Sequence, residues 1–402
     1  MEGLTSLERD CVERAATAAM LDDVRTWAAV NSGSRNLAGL AILAARLAGA
    51  FADLPGDLKL IDAAPVETIG ADGKPYAVEH GGNLHLTVRP DAPLQLLFTG
   101  HMDTVFAADH DFQNVLWRED GILGGPGVAD MKGGIAVMLA ALKAVETSPL
   151  AATLGYEVVI NSDEEVGSLG SAELIAAAAK GKLAALIYEP SALPDGTFAG
   201  ARPGSGNFSF TVTGKSAHAG RNPEEGRNAL VAAADLALRL KAGMRDGLSV
   251  NPARIEGGSP NNVVPDHAVL RVNLRPATLD DQVRAVQLIE AAVEQVAAEH
   301  DVAIHSYGHF ARPPKPMTPA LEALFGLVRR AGADLGQAVA WQSTGGVCDG
   351  NNIAACGVPV IDTMGVRGGS IHSMEEFLIV DSLSERAALS ALTILRLVGG
   401  QA

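Results

Sequence analysis

The chain has 402 residues, more than one ordinary core holds, so its length predicts two domains. Hydrophobic residues make up 48%, ample for a packed interior. Lys plus Arg total 31 against 47 Asp plus Glu. The resulting charge of −16 disfavours nucleic acid and anionic membranes as partners, since both need a basic surface.

The N-terminus carries Glu8 and Asp10 and no basic start ahead of an apolar core, so no signal peptide is read there. Two helical patterns open the chain, over Glu8–Asn31 and Arg35–Ala52. The second is broken by Arg46 and is too short to span a bilayer. A strand-like run, Leu94–Phe98, leads straight into Gly100 and His101. Helix pattern follows over Met131–Glu146, then a strand at Tyr156–Asn161, a helix near Ser171–Ala179 and a strand at Ala184–Tyr188. Strands alternating with helices predict an α/β domain with a largely parallel sheet.

The middle of the chain reads differently. Phe208–Thr213 alternates as a strand, Gly226–Met244 is helical, and Val250–Glu256 and His267–Arg275 read as strands. Leu279–His300 is an amphipathic helix, and Val302–Phe310 is a last strand. That β-α-β-β-α-β order is the ferredoxin-like one. Stretches rich in Pro and Gly flank it as hinges, from Ala201 to Gly206 and from Arg312 to Pro316. The α/β pattern then resumes with a helix at Ala320–Ala333, a strand at Val358–Thr363 and a helix at Ser382–Val398. The expected organisation is therefore a catalytic domain of residues 1–201 and 313–402 with an α+β domain, 202–312, inserted into it. The three cysteines, Cys11, Cys348 and Cys356, form no C-x-x-C pair and fit a reducing compartment. A soluble cytoplasmic protein is expected.

Acidic and histidine residues recur just beyond the predicted strands. They are His101 and Asp103 in TGHMDTV, Asp130 in GGPGVADMKGG, Glu164 and Glu165 in NSDEEVGSLGS, Glu189 in IYEPS, and His372 in GGSIHSMEE. Each alone has an ordinary structural explanation. Together, at the carboxyl ends of strands in an open α/β sheet, they converge on the ligand crevice. Nitrogen and carboxylate donors without thiolate suit zinc or a similar divalent metal. A two-metal site needs a bridging carboxylate, and Asp130 can bridge. His101, His372, Glu165 and Glu189 complete the donors, Glu164 is placed to act as the base, and Asp103 can fix the His101 tautomer.

At these residues the sequence resembles the co-catalytic zinc family of glutamate carboxypeptidase, acetylornithine deacetylase, succinyl-diaminopimelate desuccinylase and aminoacylase. Its likeness is greatest to the glutamate carboxypeptidases. GHMDTV, GPGVADMKGG, NSDEEVGSLGS, GKSAHAG and NNVVP carry the resemblance, which runs from about Leu94 to Val398. It implies two zinc ions per chain, with cobalt or manganese as substitutes, and hydrolysis of a dipeptide or N-acyl amino acid. It also implies a homodimer formed by the inserted lid, with His218 acting in the partner's active site. Asn262, Arg275 and Arg312 match positions that hold the substrate carboxylate. A nucleotide enzyme reading GGPGVAD as a phosphate loop fails on order, because no G-x-G-x-x-G opens a helix after the first strand. An inactive metal-binding relative is disfavoured by the retained Glu164 and the full donor set.

Overall fold

The computed structural model describes residues 3–400. A six-stranded sheet runs, in spatial order, Asp57–Ile61, Asn83–Val88, Leu154–Asn161, Leu94–His101, Ala184–Ile187 and Val360–Ile361. The last four strands pair parallel and the first two join antiparallel. Leu94–His101 is buried on both faces over most of its length, which is why it reads as a continuous apolar run. Leu96 and Phe98 turn into the main core, while Leu97 faces a second cluster with Ile175, Ile353 and Val360 on the opposite side.

Helix Gly133–Glu146 is apolar almost all round because it lies between the sheet and helix Asp381–Val398. The first helix, Ser6–Ala16, is started by a reciprocal cap. Thr5 Oγ1 accepts from Glu8 N at 3.2 Å, and the Glu8 carboxylate accepts from Thr5 N at 2.8 Å. The same carboxylate takes Arg396 at 2.9 Å and so ties the first helix to the last. The single helix expected over Glu8–Asn31 is in fact two, Ser6–Ala16 and Met20–Ala28. The break falls at Thr17, whose hydroxyl donates to the Glu13 carbonyl at 2.8 Å, the local competition that makes threonine a poor helix interior.

The inserted segment forms its own antiparallel sheet, ordered Leu248–Gly257, His267–Pro276, Ser205–Thr213 and Ala303–Arg312. Helices Ala229–Ala242 and Leu279–His300 cover one face. Phe208, Phe210, Val212, Leu270 and Leu274 pack there into a core of their own. The other residues of these strands, such as Ser209, Arg271, Asn273 and Arg275, give the sheet a polar face, as period-two alternation requires. Asn228 and Thr278 cap the two helices, accepting from Val231 N at 3.0 Å and Asp281 N at 3.1 Å.

The chain leaves and re-enters the larger unit side by side. Arg202 and Lys315 exchange two backbone hydrogen bonds, both 2.9 Å. Asn351 Nδ2 then donates to the carbonyls of Pro203 and Pro313, both at 2.8 Å, and Asn352 Nδ2 donates to Ala311 O at 3.1 Å. Among the described residues, no helix is long and apolar enough to cross a membrane.

Candidate active site

Three neighbouring parallel strands end at the site. Leu94–His101 delivers His101 and, two residues on, Asp103. Leu154–Asn161 runs into the turn Glu164–Val166, and Ala184–Ile187 is followed by Glu189. Asp130 comes from the turn Val128–Lys132, which precedes helix Gly133–Glu146. His372 comes from the loop between the short paired strands Gly368–Gly369 and Phe377–Ile379. Residues far apart in sequence thus meet at the carboxyl edge of the sheet.

Asp130 is the centre of the arrangement. Its Oδ1 lies 3.1 Å from His101 Nε2, and its Oδ2 lies 3.3 Å from His372 Nε2. Each histidine has a glutamate beside it: Glu189 Oε2 is 3.6 Å from His101 Nε2, and Glu165 Oε2 is 3.1 Å from His372 Nε2. One carboxylate therefore separates two His–Glu pairs. Donor atoms of His101, Asp130 and Glu165 lie within 4.8 Å of one another, and so do those of His101, Glu164 and Glu189.

The electrostatics favour added positive charge. Burial pushes Glu165 up to about 7, reinforced by the charge on Asp130. Burial likewise pushes Glu189 up to about 8, with His101 opposing and Asp130 reinforcing. Hydrogen bonds to Asp130 and Glu165 raise His372 to about 11. Burial works against a charged His101, but Glu189, Asp103 and Asp130 around it win, and its pKa rises. A buried cluster that draws protons onto both its glutamates and its histidines is one that a divalent cation would satisfy. The donor set, nitrogen and carboxylate oxygen without thiolate, fits such a cation.

Supporting groups hold these donors in place. Asp103 is fully buried, and its carboxylate accepts from Ser34 Oγ at 2.7 Å, Glu164 N at 3.1 Å and Glu165 N at 3.2 Å. His101 Nδ1 lies 3.0 Å from the Asp103 carbonyl oxygen and 3.3 Å from Oδ1, so Asp103 both orients the ring and fixes the turn carrying the two glutamates. Glu376, unassigned in the sequence reading, accepts the backbone N–H groups of Gly127, Ala129 and Asp130 at 3.0–3.1 Å and thereby shapes the turn that presents Asp130. Its only sequence signal was its place in SIHSMEE.

A cleft of about 240 Å³ opens on the site, lined among others by Asp130, Glu165, Glu189, Arg202, Thr344 and Cys348. Arg202 grips Asp362 through Nε at 2.8 Å and Nη2 at 3.1 Å, and Lys315 Nζ meets the same carboxylate at 2.6 Å. These contacts fix the Arg202 guanidinium in the cleft wall.

The candidate residues of the inserted segment do not line this cleft. His218 is exposed, its Nδ1 accepting from Gly220 N at 3.1 Å, and its backbone pairs with Val263. Asn262 is exposed in the adjoining turn, its carbonyl accepting from Ala219 N at 2.9 Å. Arg275 reaches from the lid to Gly345 O at 2.9 Å, next to the cleft residues Thr344 and Gly346. Arg312 is buried against Glu164 rather than lining the cleft.

The family model described as Peptidase family M20/M25/M40 matches residues 97–396. Carboxypeptidase G2 of Pseudomonas sp. (strain RS-16) is 31% identical over 332 residues, covering 80% of this chain and 78% of that protein. Succinyl-diaminopimelate desuccinylase of Maricaulis maris is 28% identical over 363 residues, covering 83% and 88%. The fold is shared with the YXEP protein of Bacillus subtilis, described as a dinuclear metal-binding M20 peptidase. That similarity has a TM-score of 0.64 at 15% identity, over 95% of this chain and 99% of that one.

Proposed function

This chain belongs to peptidase family M20/M25/M40 and is a metal-dependent hydrolase; on that premise we propose that it is a two-zinc hydrolase which cuts a peptide or amide bond to release an amino acid with a free carboxylate, in the manner of a glutamate carboxypeptidase. The observation that carries this reading is Asp130, whose two oxygens face His101 with Glu189 on one side and His372 with Glu165 on the other. His101 with Glu189 and His372 with Glu165 would hold the cations, with Asp130 shared between the two pairs. Cobalt or manganese would fit the same donors.

Two bound cations would supply the positive charge that acidifies an attacking water and polarises the scissile carbonyl. The chain's own residues do the rest. Glu164, adjacent to the ligand Glu165 and facing the same cleft, takes the proton from the water and hands it to the leaving nitrogen. Asp103 keeps the His101 ring in one orientation. Arg275, bonded to the cleft loop at Gly345, anchors the substrate carboxylate, and Asn262 would join it only when the lid closes.

A free carboxylate on the leaving amino acid is therefore expected to be required. A charge-assisted hydrogen bond contributes roughly 1.5–3 kcal/mol, about one to two powers of ten in kcat/KM. Zinc-loaded enzyme assayed on N-acyl amino acids and dipeptides, each as acid and as amide, should prefer the acid by at least that factor. Equal rates on both forms would replace this reading with a general amidase. The desuccinylase likeness favours a second reading, an N-acyl-amino-acid deacylase. The same screen distinguishes it by a preference for acyl over peptidyl substrates.

The lid also forms a homodimer in this reading. Support comes from Val231 and Leu238, seven residues apart on helix Ala229–Ala242 and 51% and 70% exposed, an exposed apolar stripe. His218, exposed and absent from its own chain's cleft, would then act as oxyanion donor in the partner's site. Mixing His218→Ala with Glu164→Gln subunits should restore part of the activity that each lacks alone. No recovery, with subunit exchange verified, would count against action across the dimer.

A further inference from the structure

Arg312 ends the lid strand Ala303–Arg312, yet its side chain serves the other unit. The residue is 4% exposed. Nη1 forms an ion pair with Glu164 Oε1, and Nη2 donates to the Glu164 carbonyl oxygen at 2.9 Å and to Ser168 Oγ at 2.9 Å. The guanidinium thus holds one residue by both side chain and main chain. From the other side, the Glu164 N–H is taken by Asp103 at 3.1 Å.

The guanidinium is itself held. Asp349 Oδ1 lies 3.5 Å from Nη2 and also accepts from Ser168 Oγ, while Asp349 Oδ2 accepts from Asn161 at 2.9 Å. The backbone on either side of Arg312 is pinned too, since Asn352 binds the carbonyl of Ala311 and Asn351 that of Pro313. None of this points Arg312 at a substrate. Glu164 lines the cleft and Arg312 does not.

We propose that Arg312 is a positioning residue for the carboxylate of Glu164 rather than the anchor of the substrate's carboxylate, and that Asp349 holds Arg312 for that task. The inference rests on the reading of Glu164 as the base. A glutamate side chain left free samples several rotamers, and only some face the water. A planar fork gripping the carboxylate and the carbonyl of the same residue restricts that freedom before substrate arrives. Lysine, a single point charge, cannot make both grips with the same geometry.

The test compares Arg312→Ala, Arg312→Lys and Asp349→Asn in the zinc-loaded enzyme, each on a carboxylate substrate and on its amide. It also places Arg312→Ala in the Glu164→Gln background. A misplaced base costs on the order of 10- to 100-fold. That loss should appear in kcat by the same factor for acid and amide, with KM nearly unchanged. Arg312→Lys should recover part of it, and Asp349→Asn should share it more weakly. In the Glu164→Gln background, Arg312→Ala should cost almost nothing more. A rise in KM confined to the acid would overturn the proposal in favour of a substrate anchor, and so would a full additive loss in the Glu164→Gln background. Should Arg312→Ala fail to fold, the acid–amide pattern of Arg312→Lys gives the same decision. Failure of the underlying reading is seen separately, as Glu164→Gln retaining turnover whatever stands at position 312.

Discussion

Glu164→Gln should fold and keep its metals while losing turnover by about 10²–10⁴-fold, the usual contribution of a positioned general base. The substitution is nearly isosteric, and its surroundings tolerate it. A glutamine oxygen can still accept from Arg312, and the backbone contacts to Asp103 and Arg312 involve no side-chain atom of Glu164. What disappears is the capacity to take a proton. The loss should fall on kcat rather than KM, because the substituted residue is not one that anchors the substrate. Parallel metal analysis and a thermal melt separate loss of the base from loss of the site. A variant within tenfold of the parent would mean that the base lies elsewhere.

Stripping the metals should be at least as damaging. Charge stabilisation by bound cations amounts to several kcal/mol in the transition state. Each 1.36 kcal/mol is a factor of ten, so activity should fall on the order of 10³-fold or more after chelation. Two equivalents of zinc should restore it, and loaded protein should carry close to two equivalents. The stripped protein should also melt at a lower temperature, since ligands that bind only the folded state stabilise it by mass action. Its buried Glu165 and Glu189, pushed up by burial, would then take protons in place of the cations, while Asp130 stays charged between the two histidines. Full activity with a single tight equivalent would remove the bridging role from Asp130.

Much of this was legible in the sequence for a definite reason. Leu94–Phe98 is mostly apolar and His101 follows three residues on, so the change from strand to site is written in nearly consecutive letters. The inserted sheet was legible through alternation, as in Phe208, Phe210 and Val212, and the helix Leu279–His300 has the bounds that periodicity predicts. Strand Asp57–Ile61 was missed because it is a short, largely exposed edge, with only Leu58 and Leu60 to mark its alternation. The strand expected at Val358–Thr363 shrinks to Val360–Ile361, the sheet's other edge, which pairs only with Ala184–Ile187. The helix expected from Met131 begins at Gly133, because the turn that presents Asp130 intervenes. The groups behind the ligands were least legible. Glu376 meets the Asp130 turn, Arg202 meets Asp362, and Arg312 meets Glu164 across long stretches of chain. No local pattern encodes such a partner, and only the folded topology brings the pairs together.

The backbone bridge between Arg202 and Lys315 has a consequence for how freely this protein can change. The main chain of everything between those residues enters and leaves through a neck two backbone hydrogen bonds wide, with side chains such as Arg275 and Arg312 as further ties. To the central sheet, the whole inserted segment is a loop whose ends are already joined. Lengthening such a loop costs only about 0.6 kcal/mol per doubling. The segment can therefore grow, shrink or be exchanged for another without disturbing the register of the sheet, and the residues grouped around Asp130 all lie outside it. New substrate preferences and new self-association can in this way be tried as a module, provided that Arg312 at its far end keeps its hold on Glu164.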